Sequence, residues 1–128
     1  MYRLISVALI AACFGSTPAL SQSMSPMRGE IRSYTDSFAV RVQPRNPYKH
    51  RINVGIRAYD ADFRPIEARI SPADFSLGAG ASRSVLVVVN FNGARERRVR
   101  ICTESVPLSG KGVGMKAQIC GKFIGHRL

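Results

Sequence analysis

The sequence predicts an all-β protein, a seven-stranded sandwich, and three observations carry that reading. Val85 to Phe91 is a β-branched and aromatic run with no Pro or Gly inside it, the composition of a strand. Two other stretches alternate: Phe38, Val40 and Val42 with Ala39, Arg41 and Gln43, then Ile52, Val54, Ile56 and Ala58 with Asn53, Gly55, Arg57 and Tyr59. A period of two puts one face of each strand on a core. Helical periodicity is weak throughout residues 22–128.

In chain order, Met24 to Ile31 reads as a first strand. Pro26 lacks a donor and Gly29 is loose, so it belongs at an edge or at a change of sheet. Ser33 to Asp36 is turn-like, and the strand around Val40 ends at Pro44-Arg45-Asn46-Pro47-Tyr48, because two prolines cannot continue a ladder. After the strand from Ile52, Asp60 to Pro65 is a turn and Ile66 to Ile70 a short strand. Ser71 to Gly80 reads as a long connection with Phe75 and Leu77 tucked under it as plugs. In the Val85 run, Val85, Val87, Val89 and Phe91 form one apolar set, and Leu86 and Val88 sit on the other side between Ser84 and Asn90. A strand apolar on both sides lies inside a sandwich. Asn92-Gly93 is a tight-hairpin dipeptide, which leaves two readings open: a local hairpin, or a crossing between sheets. Val99 and Ile101 then face one way, and Arg98, Arg100 and Cys102 the other. Leu108 to Gly114 is a flexible loop. The final strand puts Met115, Ala117, Ile119 and Phe123 on one face, and Lys116, Gln118, Cys120 and Lys122 on the other.

The first residues have the form of an export leader. Met1-Tyr2-Arg3 is a cationic start, and Leu4 to Phe14 is an apolar run of eleven residues, too short to span a bilayer. Ala19 and Ser21 are small residues where a signal peptidase reads. The expectation is a signal peptide over 1–21, with cleavage after Ala19 as the alternative, and a single domain over 22–128. Ile10-Ala11-Ala12-Cys13 offers a rival, a lipoprotein box that would make Cys13 a lipidated N-terminus. Only in that case is a membrane a partner.

If Cys13 leaves with the leader, Cys102 and Cys120 remain, and an even pair in an exported chain reads as a disulfide. Both fall on the polar sides of their strands. A bridge between neighbouring strands on the outer surface follows, contributing roughly 3 kcal/mol through the unfolded chain's lost entropy.

The chain carries 19 Lys and Arg against 8 Asp and Glu, a net charge of +11. Losing Arg3 leaves 18 against 8, or +10. In an exported protein this points to acidic partners, or to general solubility. Nucleic acid is not expected, since no reading-head motif is visible. The densest cluster is Arg95, Arg97, Arg98 and Arg100. It reads either as an anion-binding face or as a solvated strand edge whose charge discourages aggregation.

Catalysis and cofactors are not expected. His50 and His126 stand alone, no Cys-x-x-Cys occurs, and no serine has an evident histidine partner. Asp60 and Asp62, two apart, make a poor calcium site and read as turn-fixing residues.

Ser25-Pro26-Met27-Arg28, the strand around Val40, Ile66, Ile70-Ser71-Pro72, Leu77-Gly78-Ala79-Gly80 and Arg100-Ile101-Cys102-Thr103-Glu104-Ser105-Val106-Pro107 occur in a telling order. From Met24 to Pro107 the sequence resembles the N-terminal immunoglobulin-like domain of periplasmic pilus-assembly chaperones, the PapD-like family, here as a single-domain relative. The resemblance implies a seven-stranded immunoglobulin-like sandwich in which Val85 to Arg98 crosses between sheets. It also implies an exported periplasmic protein that contacts an envelope or pilus subunit along an edge strand, lending alternate apolar side chains to the subunit. A basic pair anchors the subunit's terminal carboxylate in that family. Arg28 matches the first-strand arginine, and Lys122 lies near the last-strand lysine, one residue off the family spacing. Arg97 and Arg98 are the further candidate partner-binding residues. The alternative is a structural or lipid-anchored envelope protein without chaperone activity.

Overall fold

The computed structural model describes residues 23–107 and 117–128. The expected leader, Cys13, the Leu108–Gly114 segment, Met115 and Lys116 lie outside them. The described residues form nine strands: β1 (Ser23–Ser25), β2 (Arg28–Ser33), β3 (Ser37–Arg45), β4 (Ile52–Asp60), β5 (Arg69–Ser71), β6 (Asp74–Leu77), β7 (Val85–Asn90), β8 (Glu96–Pro107) and β9 (Ala117–Arg127). One sheet has the order β1-β3-β7-β5 and the other β2-β9-β8-β4-β6.

Nine segments make seven sandwich strands, because two strands divide between the sheets. The first changes sheet at Ser25-Pro26, where β1 leaves β3 and β2 takes up parallel pairing with β9. The same happens at Ser71-Pro72, where β5 leaves β7 and β6 joins β4. A proline supplies no donor, so it suits a residue that stands between two ladders. The resulting all-β, immunoglobulin-like sandwich is the one the alternation predicts. Phe38, Val40, Val42, Ile52, Val54, Ile56, Val85, Val87, Val89 and Phe91 are each 4% exposed or less.

The structure corrects the sequence reading in several places. β3 continues through Pro44, which pairs with Met24. Its ladder with β7 has ended at Val42↔Val85, so no N–H is needed there, and its carbonyl accepts from Arg83 N at 3.3 Å. The strand placed at Ile66 to Ile70 shrinks to Arg69–Ser71. Pro65 and Ile66 stay tied to β4 through the Tyr59↔Pro65 bridge and the bond from Ile66 N to Ala58 O, so the chain reaches β7 late. Phe75 and Leu77 are not plugs under a loop. They belong to β6, paired Ile52↔Leu77 and Val54↔Phe75.

Asn92 and Gly93 keep positive φ values of 50° and 79°, yet the turn makes a crossing rather than a hairpin. β7 is flanked by β3 and β5, and β8 by β9 and β4. Both strands bury an apolar face, so they stack across the core instead of pairing.

Cys102 and Cys120 lie directly opposite each other in the β8–β9 ladder and are bonded. The bridge joins neighbouring strands on the outer face, as their parity requires. Cys102 is nonetheless 0% exposed, because it sits on an interior strand with Arg57 and Cys120 abreast of it. The bridge closes a sequence separation of 18. Replacing both cysteines by serine is expected to lower the unfolding free energy by about 3 kcal/mol, read as a fall in the urea midpoint with little change in slope.

Candidate functional site

Among the described residues, the outer edge of β9 is only partly covered. On one side β9 pairs antiparallel with β8 from Ser105↔Ala117 to Glu96↔His126. On the other, β2 runs parallel to it only from Arg28↔Lys122 to Ser33↔Arg127. The bond from Lys122 N to Met27 O, 2.9 Å, closes that pairing. From Ala117 to Gly121, no strand among the described residues pairs with this edge.

Gly121 is where the chain passing from β1 to β2 crosses β9. A Cβ there would stand 3.0 Å from the Met27 carbonyl oxygen and 2.7 Å from the buried Phe123 ring. The residue that interrupts the apolar pattern of the last strand therefore permits the change of sheet.

The end of the open edge carries a basic pair. Arg28 and Lys122 are in register, and a parallel pair projects its side chains to one face. Both lie opposite the inward-facing Phe123 and Ile31, on the outer face of the sheet. With Gly29, Glu30 and Ile124 they line a cleft of about 400 Å³. Neither makes an ion pair among the described residues. Farther across the same face, Arg57 folds over Gly55 and meets Asp74 at 2.7 Å. That hydrogen bond holds the Arg57 pKa above its ordinary value. Arg57 is compensated, whereas Arg28 and Lys122 are not.

The arginine cluster is divided. β8 is an interior strand, not an edge, and its alternation sends Arg97 and Arg98 to opposite faces. The Arg97 guanidinium donates to the Asn90 carbonyl at the end of β7, bracing the crossing between sheets. Arg98 is exposed on the outer face and pairs with Glu96 at 3.3 Å. The two do not form one surface. Arg100 does join the basic pair: it faces Lys122 directly across β8 and β9, so Arg28, Lys122 and Arg100 form one row over three strands.

Elsewhere the polar candidates are structural. Asp60 Oδ1 accepts from the backbone of Asp62 at 2.8 Å and Arg64 at 2.9 Å, fixing the turn. His50 stacks on Tyr48, and His126 approaches Glu30 at 3.9 Å. No group of His, Cys, Asp or Glu among the described residues is arranged to hold a metal ion.

No protein-family model and no curated protein matches the sequence. Solved structures do. The structure of Salmonella enterica SafA pilin in complex with the SafB chaperone superposes with a TM-score of 0.69 at 21% identity, covering 88% of this chain and 57% of that one. The E. coli chaperone DraB gives 0.68 at 18%, covering 84% and 55%. The fold is that of the N-terminal immunoglobulin-like domain of PapD-like pilus chaperones. The chain spans just over half the length of those two structures. PapD-like domain 7 of human CEP192 matches end to end, with 98% of each chain covered, a TM-score of 0.63 and 13% identity. The PapD-like fold thus occurs among proteins of different settings, and the site must carry the functional argument.

Sequence reasoning placed Arg100 in the arginine cluster but not beside Lys122, although a signal for that pairing was present. In an antiparallel ladder, a bridge that puts Cys102 opposite Cys120 also puts Arg100 opposite Lys122. The pairing of Arg28 with Lys122 has no such signal, since it depends on where β2 meets β9.

Proposed function

We propose that this chain is an exported, periplasmic chaperone-like protein that holds an extended segment of an envelope or pilus subunit by contact alone, without catalysis. The observation that carries this reading is the position of Arg28 and Lys122 at the end of the Ala117–Gly121 edge, which no strand among the described residues pairs. A strand added along that edge would satisfy its backbone groups. If the segment ends in a free carboxylate, the guanidinium and ammonium meet it there with charge-assisted hydrogen bonds. The direction follows: a segment whose C-terminus lies at Lys122 and whose body extends toward Ala117 runs parallel to β9, continuing the line of β2.

Side-chain insertion into the subunit is modest in this reading. The alternate positions along the edge are Ala117, Ile119 and Gly121, of which only Ile119 has reach. Backbone pairing and the carboxylate contact carry most of the affinity. Support for a subunit as partner comes from the SafB structure, in which the chaperone is bound to a pilin.

The test uses a fluorescein-labelled octapeptide of alternating valine and threonine, with a free or an amidated C-terminus. The free acid is expected to bind about tenfold more tightly than the amide, the size of one charge-assisted hydrogen bond. Arg28→Ala and Lys122→Ala are each expected to remove that difference at unchanged melting temperature. Equal binding of acid and amide by the wild-type chain would overturn the carboxylate reading.

A further inference from the structure

Resting on that reading, we propose that Arg100 is a third cation of the site and that it selects a partner segment whose last residue is acidic. A single carboxylate is already satisfied by Arg28 and Lys122. Strands in a sheet lie about 4.8 Å apart, so Arg100 stands about 10 Å from Arg28 across the row, beyond the span of one carboxylate. A ligand that uses all three cations carries a second anionic group inward of the first. An aspartate or glutamate at the last position provides that arrangement, with the main-chain carboxylate at Arg28 and Lys122 and the side-chain carboxylate between Lys122 and Arg100.

A second, independent feature points to the same place. Phe63 has φ = 60°, a left-handed conformation that is a genuine outlier for a bulky side chain. The Asp60 carboxylate brackets it through Asp62 N and Arg64 N, and Phe63 N donates to Asp60 O at 3.1 Å. The turn thereby presents a half-exposed aromatic ring to solvent, 51% exposed. The Arg100 guanidinium lies over that ring, 4.4 Å from its centroid, and its Nε reaches the Ala61 carbonyl at 3.4 Å. A stacked guanidinium is held in place with its edge still available for a planar anion. Arg100 makes no ion pair among the described residues. The space in front of it is a cleft of about 180 Å³, bounded by Ala61, Arg98, Arg100, Lys122 and Ile124. This cleft and the one at Arg28 share Lys122 and Ile124, so the row is continuous from the open edge inward.

The experiment uses the chain with its Cys102–Cys120 bridge formed and two labelled octapeptides of alternating valine and threonine, one ending in glutamate and one in glutamine, both with free C-termini. The glutamate peptide is expected to bind about three- to fivefold more tightly, the range of one partly exposed ion pair, and the preference is expected to fade at high salt. Arg100→Gln is expected to abolish the preference, weakening the glutamate peptide more than the glutamine peptide, whose one carboxylate meets Arg28 and Lys122 first. Arg100→Lys retains part of the preference, and Phe63→Leu, which releases the stacked guanidinium, lowers it. Equal binding of the two peptides by the wild-type chain, or a preference that survives Arg100→Gln, overturns this inference alone. Failure of both peptides to bind overturns the carboxylate-terminated docking site, and this inference with it.

Discussion

Asn46→Ala is expected to lower the unfolding free energy by about 4 kcal/mol, the sum of several polar groups left without partners. Asn46 is 0% exposed, and its amide ties its own loop to the end of β6. Nδ2 donates to the carbonyls of His50 at 2.8 Å, Gly78 at 3.0 Å and Leu77 at 3.1 Å, while Oδ1 accepts from Tyr48 N at 2.9 Å. Two hydrogens serve three carbonyls, so at least one is shared. The backbone N of Asn46 adds a bond to Ala81 O at 2.9 Å, which alanine would keep. The side chain therefore pins the β3–β4 connection to the β6–β7 connection at one end of the sandwich. The Leu77 carbonyl lies in the interior and cannot be rehydrated without opening the fold, whereas the other partners are part-buried and recover some water contacts. Asn46→Asp is expected to be at least as damaging, because it sets an anion against three carbonyl oxygens. Urea unfolding of the three proteins measures this. A loss below about 1 kcal/mol for alanine would mean that the carbonyls are hydrated in the native state.

Asn46 also marks a boundary in what the sequence makes legible. It falls between Pro44 and Pro47, where the prolines announce an end to regular pairing, and nothing local reveals that its amide is the centre of a knot. Its partners lie up to 32 residues away, so they appear only once β3, β4 and β6 are assembled. The strand faces are the opposite case. Phe38, Val40 and Val42, and Ile52, Val54 and Ile56, declare their core side by alternation, because burial on one face is a local requirement on every second residue. Short strands escape for the same reason. β6 has four residues and β5 three, too few for a period to emerge, and each exists because a neighbouring strand offers an edge.

The site divides along the same line. Cys102 and Cys120 disclose the β8–β9 register, and with it Arg100 opposite Lys122. The family resemblance singles out Arg28 and, one residue off its spacing, Lys122. That Arg28 and Lys122 share one row is a property of the sheet change at Pro26, which no periodicity encodes. The arginine cluster shows the converse error: four cations close in sequence look like one face, but on an extended strand neighbours point apart, and Arg97 serves the crossing to β7 while Arg98 faces solvent.

Gly125→Val is expected to destabilise the fold by about 4 kcal/mol, among the larger effects of single substitutions, through overpacking. By local preference valine suits a strand better than glycine, and removing a glycine lowers the entropy of the unfolded chain by an amount worth up to about 1 kcal/mol. Sterics oppose both gains. A Cβ at position 125 would stand 2.5 Å from two carbons of the Phe38 ring and 2.8 Å from a third. Phe38 cannot retreat, since it is 2% exposed and packs on Phe91 with ring centroids 4.9 Å apart. The strand must therefore lift from the opposite sheet. Gly125 also faces Ile31 of β2 and Arg97 of β8, so lifting it disturbs the ladder that sets Arg28 against Lys122. The cause can be isolated with the pair Phe38→Ala and Gly125→Val. Phe38→Ala alone costs about 3–5 kcal/mol by leaving a cavity. The double variant is expected to fall short of the summed losses by at least about 2 kcal/mol, because the valine enters the space the ring vacated. Additive losses would show that the ring is not what position 125 must accommodate.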